Sequence, residues 1–212
     1  MQTNERPAGP PPQHELPTSL VQRNCSARNL PIVEFLACVV EDKQAIYIST
    51  PISTGPRYLQ WLQRRKGHPT AEDTTMEQEV LQPNIAHGRE LARQIRDRLS
   101  GTVVIDPSAA DLPGWEQGEY HELWSHVIQR YASAVVFGNG WEYSSGCAYE
   151  FLTAFRCRLE ATDEAGQAIT VRQGCQRIRA AIAEYRAIGI EPELLAAVLD
   201  ELAQDCRLEA VQ

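Results

Sequence analysis

One glutamate in this chain is framed in a way that suits covalent or electrostatic catalysis. The stretch WEYSSGCAYEF, Trp141 to Phe151, places Ser144, Ser145, Gly146 and Cys147 just ahead of Glu150. If residues 144–155 form a helix capped by Ser144 or Ser145, then Ala148, Phe151, Leu152 and Phe155 make its apolar stripe and Glu150 lies off it. Glu150 then shares a face with Gly146 and Cys147 at i−4 and i−3, two small residues that leave open volume beside the carboxylate. The unpaired amides of the first turn and the positive end of the helix dipole face the same space, where an anion or polar ring would gain several hydrogen bonds. The same placement also suits a plain solvated glutamate that favours the dipole, and Ser144 as a plain N-cap. Cys147 is a thiol at a helix start, but no histidine lies near it in sequence, so it reads as a small residue rather than a nucleophile.

The remaining chemistry-bearing residues are sparse. The histidines (His14, His68, His87, His121, His126) form no HExxH or CxxH pattern, so no metal is expected. No GxGxxG follows a strand and no GxxxxGK[ST] occurs, so no dinucleotide or P-loop cofactor chemistry is expected. The six cysteines (Cys25, Cys38, Cys147, Cys157, Cys175, Cys206) show no CxxC and are expected to be free and mostly buried, as in a reducing cytoplasm. A formal net charge of −8 over 212 residues repels nucleic-acid polymers and anionic membranes, so any anion site has to be local. No apolar run approaches the roughly 20 residues that span a bilayer, and MQTNERPAGPPPQHELP lacks the pattern of a secretory signal. A cytoplasmic protein without a membrane segment is the expectation.

The elements that would position Glu150 are read from hydrophobic periodicity. Residues 1–30, rich in Pro, Gln, Asn and Ser, read as a disordered or loosely docked tail. After an apolar run from Ile32 to Val40 and a polar turn, AIYIS (Ala45 to Ser49) is a buried strand, stopped by Pro51 and Gly55. A short helix is expected from Arg57 to Lys66, then a polar excursion. Asn84 is expected to cap a helix with Ile85, Gly88, Leu91, Ala92, Ile95 and Leu99 on one face, stopped by Gly101. TVVID (Thr102 to Asp106) is the second strand. Tyr120, Leu123, Trp124, Val127, Ile128 and Tyr131 mark the next helix, and SAVVF (Ser133 to Phe137) the third strand. AITV (Ala168 to Val171) is expected as a fourth. Two helices follow, one with Ile178, Ala181, Ile182 and Tyr185 and ended by Gly189, the other starting at Pro192 with Leu194, Leu195, Val198, Leu199 and Leu202. Strands alternating with amphipathic helices imply a parallel sheet covered on both faces, with ligands beyond its carboxyl edge, where the loops after Ser49, Asp106 and Phe137 meet.

At this point three motifs in register carry a resemblance. GWEYSSGCAYE, IYISTPISTG (Ile46 to Gly55) and NIAHGRELARQIRDRLSGTVVIDPS (Asn84 to Ser108) are similar, in order and spacing, to the signatures of the nucleoside 2-deoxyribosyltransferase-like superfamily. The resemblance covers about residues 45–157. It implies a flavodoxin-like three-layer α/β sandwich, with an α/β domain over residues 31–173, an insertion at about 67–83 and a helical extension over 174–212. It implies that Glu150 is the nucleophile in cleavage of an N-glycosidic bond, stabilising or capturing oxocarbenium character at C1′ and passing the sugar to water or to another base. The slot of Ser144 is often Asp where free nucleosides are the substrate and Ser where monophosphates are, so Ser144 points to a nucleotide. Substrate contacts are then expected from Tyr47, Ser49, Thr50, Pro51, Ile52 and Gly55, from Arg57 toward a phosphate, and from Trp141, Ser144, Ser145 and Gly146. Trp141 or Tyr143 would stack on the base. Relatives commonly carry an Asp eight residues before the third strand; here that slot is Ser125, with Glu122, His121 and His126 on neighbouring turns. A homodimer is expected, with apolar surface on the C-terminal helices. NAD cleavage by the same chemistry, and a nucleotide-binding scaffold without catalysis, remain as alternatives.

Overall fold

Residue types that alternate between two apolar faces organise the centre of this molecule. The computed structural model describes residues 30–40, 45–65, 75–110 and 114–209. Its strands are β1 (Ala45–Ser49), β2 (Val104–Ile105), β3 (Ala132–Phe137) and β4 (Glu160–Asp163). They form one all-parallel sheet in the order β2-β1-β3-β4, with Ile46 opposite Val104 and Ala134, and Phe137 opposite Asp163. That order is the start of the flavodoxin-like doubly wound series. Side chains of a strand point alternately to opposite faces. Tyr47, Val135 and Phe137 therefore enter one apolar cluster, while Ile48 and Val136 enter another.

The helices are α1 (Leu30–Val40), α2 (Pro56–Arg64), α3 (Gln82–Arg98), α4 (Gln117–Tyr131), α5 (Ser145–Arg156), α6 (Val171–Ala187) and α7 (Glu193–Glu209). Leu91, Ala92 and Ile95 of α3 cover the Ile48 face. Leu123 and Val127 of α4 and Phe151 and Leu152 of α5 cover the Tyr47 face. Two layers of helices around a parallel sheet make a flavodoxin-like α/β sandwich, extended by the C-terminal pair. That pair packs behind α5. A Cβ on Gly174 would lie 2.3 Å from a ring carbon of Phe151, and Arg156 donates to Asp205 and Glu201 of α7 at 2.8 and 2.9 Å.

Several expectations need correction. AITV is not a strand of the sheet: Ala168 makes a single antiparallel bridge to Thr162, and Thr170 caps α6 in a reciprocal box with Gln173. The fourth strand is instead EATD, an edge strand whose polar residues hide it from an apolar-run search. Asn84 is not an N-cap. Helical structure begins earlier, with a π turn (Glu77–Leu81) leading into α3, so part of the expected polar excursion is helix. Leu99 lies beyond α3 and is 44% exposed. The apolar faces of α6 and α7 are spent inside the chain: Leu195, Val198, Leu199 and Leu202 are buried. The exposed large hydrophobics among described residues include Phe35 and Val39 of α1, and Leu194. Residues 1–29 of the expected tail lie outside the described residues, as do residue 66 and 67–74 of the insertion. Among the described residues five cysteines are outside any disulfide, but of these only Cys147 is buried. No helix among the described residues is long and apolar enough to cross a membrane.

Candidate functional site

The corner after β3 sets the geometry of the site. Gly140 takes φ +78, a left-handed conformation that costs glycine little, and a Cβ there would lie 2.3 Å from the Pro56 ring. A 3-10 turn, Trp141–Tyr143, follows and turns the Trp141 ring inward. Ser144 then caps α5, accepting from the Cys147 amide at 3.4 Å. From this start α5 runs back along β3 and β4, and less than two turns in the Glu150 side chain reaches across to β1. The Tyr47 hydroxyl donates to Glu150 Oε1 and the Ser49 hydroxyl to Oε2, each at 2.6 Å. Residues two apart on β1 thus grip both carboxylate oxygens.

The electrostatics follow from this enclosure. Burial pushes the Glu150 carboxyl from 4.5 up to about 7, against the pull of the Ser49 and Tyr47 hydrogen bonds. The Tyr47 phenol is pushed well up by burial and by the neighbouring carboxylate, so it stays a donor. Burial, and then the Glu150 charge, push the Cys147 thiol up to about 12. That thiol is not a nucleophile at neutral pH, and its role is spatial.

Glu150 lies on the wall of a cavity of about 720 Å³ at the carboxyl edge of the sheet, within the ordinary size of ligand pockets. Of the expected contact residues, Thr50, Ile52, Ser144 and Gly146 are on the same wall. Tyr47 and Ser49 act on it through Glu150. The loops after β1 and β2 and the start of α5 do meet there, as Pro107, Ser108 and Ala109 complete one side.

Other expected residues lie elsewhere. Trp141 is 1% exposed and packs against Phe137 and Phe151 with ring centroids 4.9 and 4.7 Å apart, so it is core rather than a base-stacking surface. Tyr143 and Ser145 line a separate groove of about 250 Å³ between the 3-10 turn and the C-terminal helices. Arg57 donates to Asn84 Oδ1 at 2.9 Å, and the Asn84 amide donates to the Ile52 and Thr54 carbonyls; Arg57 and Asn84 thus brace the loop from behind and are not themselves on the cavity wall. Pro51 packs against Gly55, where a Cβ would come within 2.8 Å, and neither lines the cavity. Glu122, Ser125 and His126 are also off the wall. The Ser125 hydroxyl is buried without a hydrogen-bond partner among the described residues.

One turn before Ser125, His121 is on the wall instead. Its ring stacks on Tyr149 at 5.5 Å, and its Nε2 would lie 3.6 Å from a Cβ built on Gly146. Burial lowers its pKa, which favours the neutral imidazole. Sequence reasoning missed Tyr120, Trp124, Arg89 and Glu77 on the wall. A signal for the last two exists in the four-residue spacing of Glu77, Leu81, Ile85 and Arg89. Among the described residues, no group of three His, Cys, Asp or Glu could hold a metal. No family model, curated protein or solved structure matches this chain.

Proposed function

We propose that this protein breaks the N-glycosidic bond of a nucleotide or nucleoside, with Glu150 as the nucleophile. The observation that carries the reading is a carboxylate gripped by Tyr47 and Ser49 at 2.6 Å each, on the wall of a cavity beyond the strand ends. Two hydroxyl donors leave each carboxylate oxygen a free lone pair and fix the direction of attack. As the C1′–N bond breaks, its electron pair leaves with the base. A Glu150 oxygen bonds to C1′, and the glycosyl ester then passes to water or to a second base. The order and spacing of the three motifs that resemble the nucleoside 2-deoxyribosyltransferase-like superfamily support the same reading.

The test is a panel of nucleosides, nucleoside monophosphates and NAD, scored for free base by chromatography. Base release lost in Glu150→Ala supports the nucleophile, and the member that reacts separates nucleotide cleavage from NAD cleavage. Tight binding with no release would mark a binding protein instead. Self-association is part of the proposal and is supported by the exposed apolar residues Phe35 and Val39 of α1. Sedimentation of wild type against Phe35→Glu tests it. The absence of a disulfide among the five described cysteines supports a reducing, cytoplasmic setting.

A further inference from the structure

The cavity has a second charged region that chemistry at Glu150 leaves unused. Glu77, Leu81, Ile85 and Arg89 all lie on its wall and recur every four residues, so they form one row along the π turn and α3. At helical rise the row runs roughly 18 Å, with an anion at one end and a cation at the other. Gly88 fixes where the cation stands. A Cβ there would lie 2.7 Å from Thr50 Oγ1 and 2.8 Å from Ser108 Oγ, so α3 rests directly on the ends of β1 and β2 beside Arg89.

β1 divides the cavity. Tyr47 and Ser49 turn toward Glu150 and α5, whereas Ile48 and Thr50 turn toward α3. Arg89 therefore stands across the end of β1 from the carboxylate. Arg93, Arg156 and Arg186 are tied to carboxylates, and Arg57 is spent on Asn84. The Arg89 side chain makes no ion pair or hydrogen bond with another described residue. Nor does the hydroxyl of Thr50, which is only 9% exposed and on the same wall. An exposed guanidinium without a carboxylate partner, on the same cavity wall as an unengaged hydroxyl donor, in a chain of net charge −8, offers phosphate oxygens a charged and a neutral donor.

We propose that Arg89, with Thr50 beside it, is the phosphate-recognition point of this cavity and sets the substrate as a phosphorylated nucleoside. The identity of the rest of the substrate rests on the N-glycosidase reading. The expected phosphate contact at Arg57 is thereby replaced by an arginine that faces the cavity.

The test uses the full-length protein and follows base release from a nucleoside, its 5′-monophosphate and its 3′-monophosphate, in wild type, Arg89→Gln and Arg89→Lys. The Gln variant is expected to lower kcat/KM on one monophosphate by about tenfold or more, the scale of a lost hydrogen bond to a charged group, with the nucleoside changed less than about twofold. Lys should restore part of the loss, and the monophosphate that responds locates the phosphate at the 5′ or 3′ position. An equal effect on all three substrates, or none, overturns the proposal. Calorimetric titration with inorganic phosphate and ribose 5-phosphate supplies a readout without turnover. Binding by wild type that is lost in Arg89→Gln supports the site, and no binding of either probe by wild type overturns it. Should Glu150→Ala leave base release intact, the nucleophile falls while these binding results stand.

Discussion

Glu150 and Glu164 both sit beyond the carboxyl edge of the same sheet, and both accept hydrogen bonds from residues far away in sequence. Their surroundings differ. Glu164 Oε1 accepts from the Asn139 amide at 2.7 Å and meets His87 Nε2 at 2.5 Å, while Oε2 accepts from Asn139 Nδ2 at 3.2 Å. It ties the loop after β3 to α3 and to the end of β4, and it lines neither cavity. Glu150 is held by two side-chain hydroxyls, faces open volume and titrates near neutrality. A carboxylate that clamps a backbone amide and an imidazole is architecture. One kept partly desolvated beside a cavity has the surroundings of a functional-site candidate.

The sharpest way to break this contrast is to neutralise each residue in turn. Glu150→Gln is expected to lower base release by at least about a thousandfold with the fold intact, as for loss of a nucleophile. Glu164→Gln should leave the chemical step nearly unchanged and cost about 1–2 kcal/mol in denaturant titrations. Comparable activity losses for the two would erase the distinction.

Acidity gives the next largest effect. Only ionised Glu150 can attack, so kcat/KM should climb as pH rises through about 7. A folded-state pKa raised from 4.5 to about 7 also means stability that is fully present below 4.5 and lost as pH rises through 7. Wild type should therefore lose on the order of 3 kcal/mol relative to Glu150→Gln across that window, read from urea midpoints at each pH. A flat difference would mean that the carboxyl is not desolvated.

The smallest expected effect concerns the grip itself. Tyr47→Phe keeps the ring in the core but removes a donor that lowers the Glu150 pKa. The pH–rate profile should move to higher pH, with a loss of about tenfold at neutral pH. An unmoved profile would mean that Ser49 alone sets the acidity.

The sequence showed parts of this in proportion to how local they are. β1 and β3 were legible because strands buried on both faces read as continuous apolar runs. β4 was not, because an edge strand needs no apolar run. Asn84 looks like a helix start because asparagine favours the N-cap and an apolar stripe follows it, yet the helix enters from the π turn, and the Asn84 side chain serves the 52–54 loop. At the site, the small residues before Glu150 forecast open space correctly. Trp141 failed as a stacking surface because the 3-10 turn rotates it into the core. The Tyr47 and Ser49 contacts depend on how Glu150 reaches from α5, packed along β3 and β4, across to β1, which no spacing in either segment discloses.

The placement of α6 and α7 has a practical side for anyone reshaping this polypeptide. Phe151, the neighbour of Glu150, fits its ring into the gap left by Gly174, and Tyr185 donates to the Tyr143 carbonyl at 3.1 Å, pinning the corner from which α5 departs. A shortened version ending before residue 171 would expose that ring to solvent and unpin the corner, so α6 and α7 are the backstop of Glu150 rather than trimming stock. For the same reason, enlarging the Gly174 position offers a handle off the cavity wall for nudging the carboxylate.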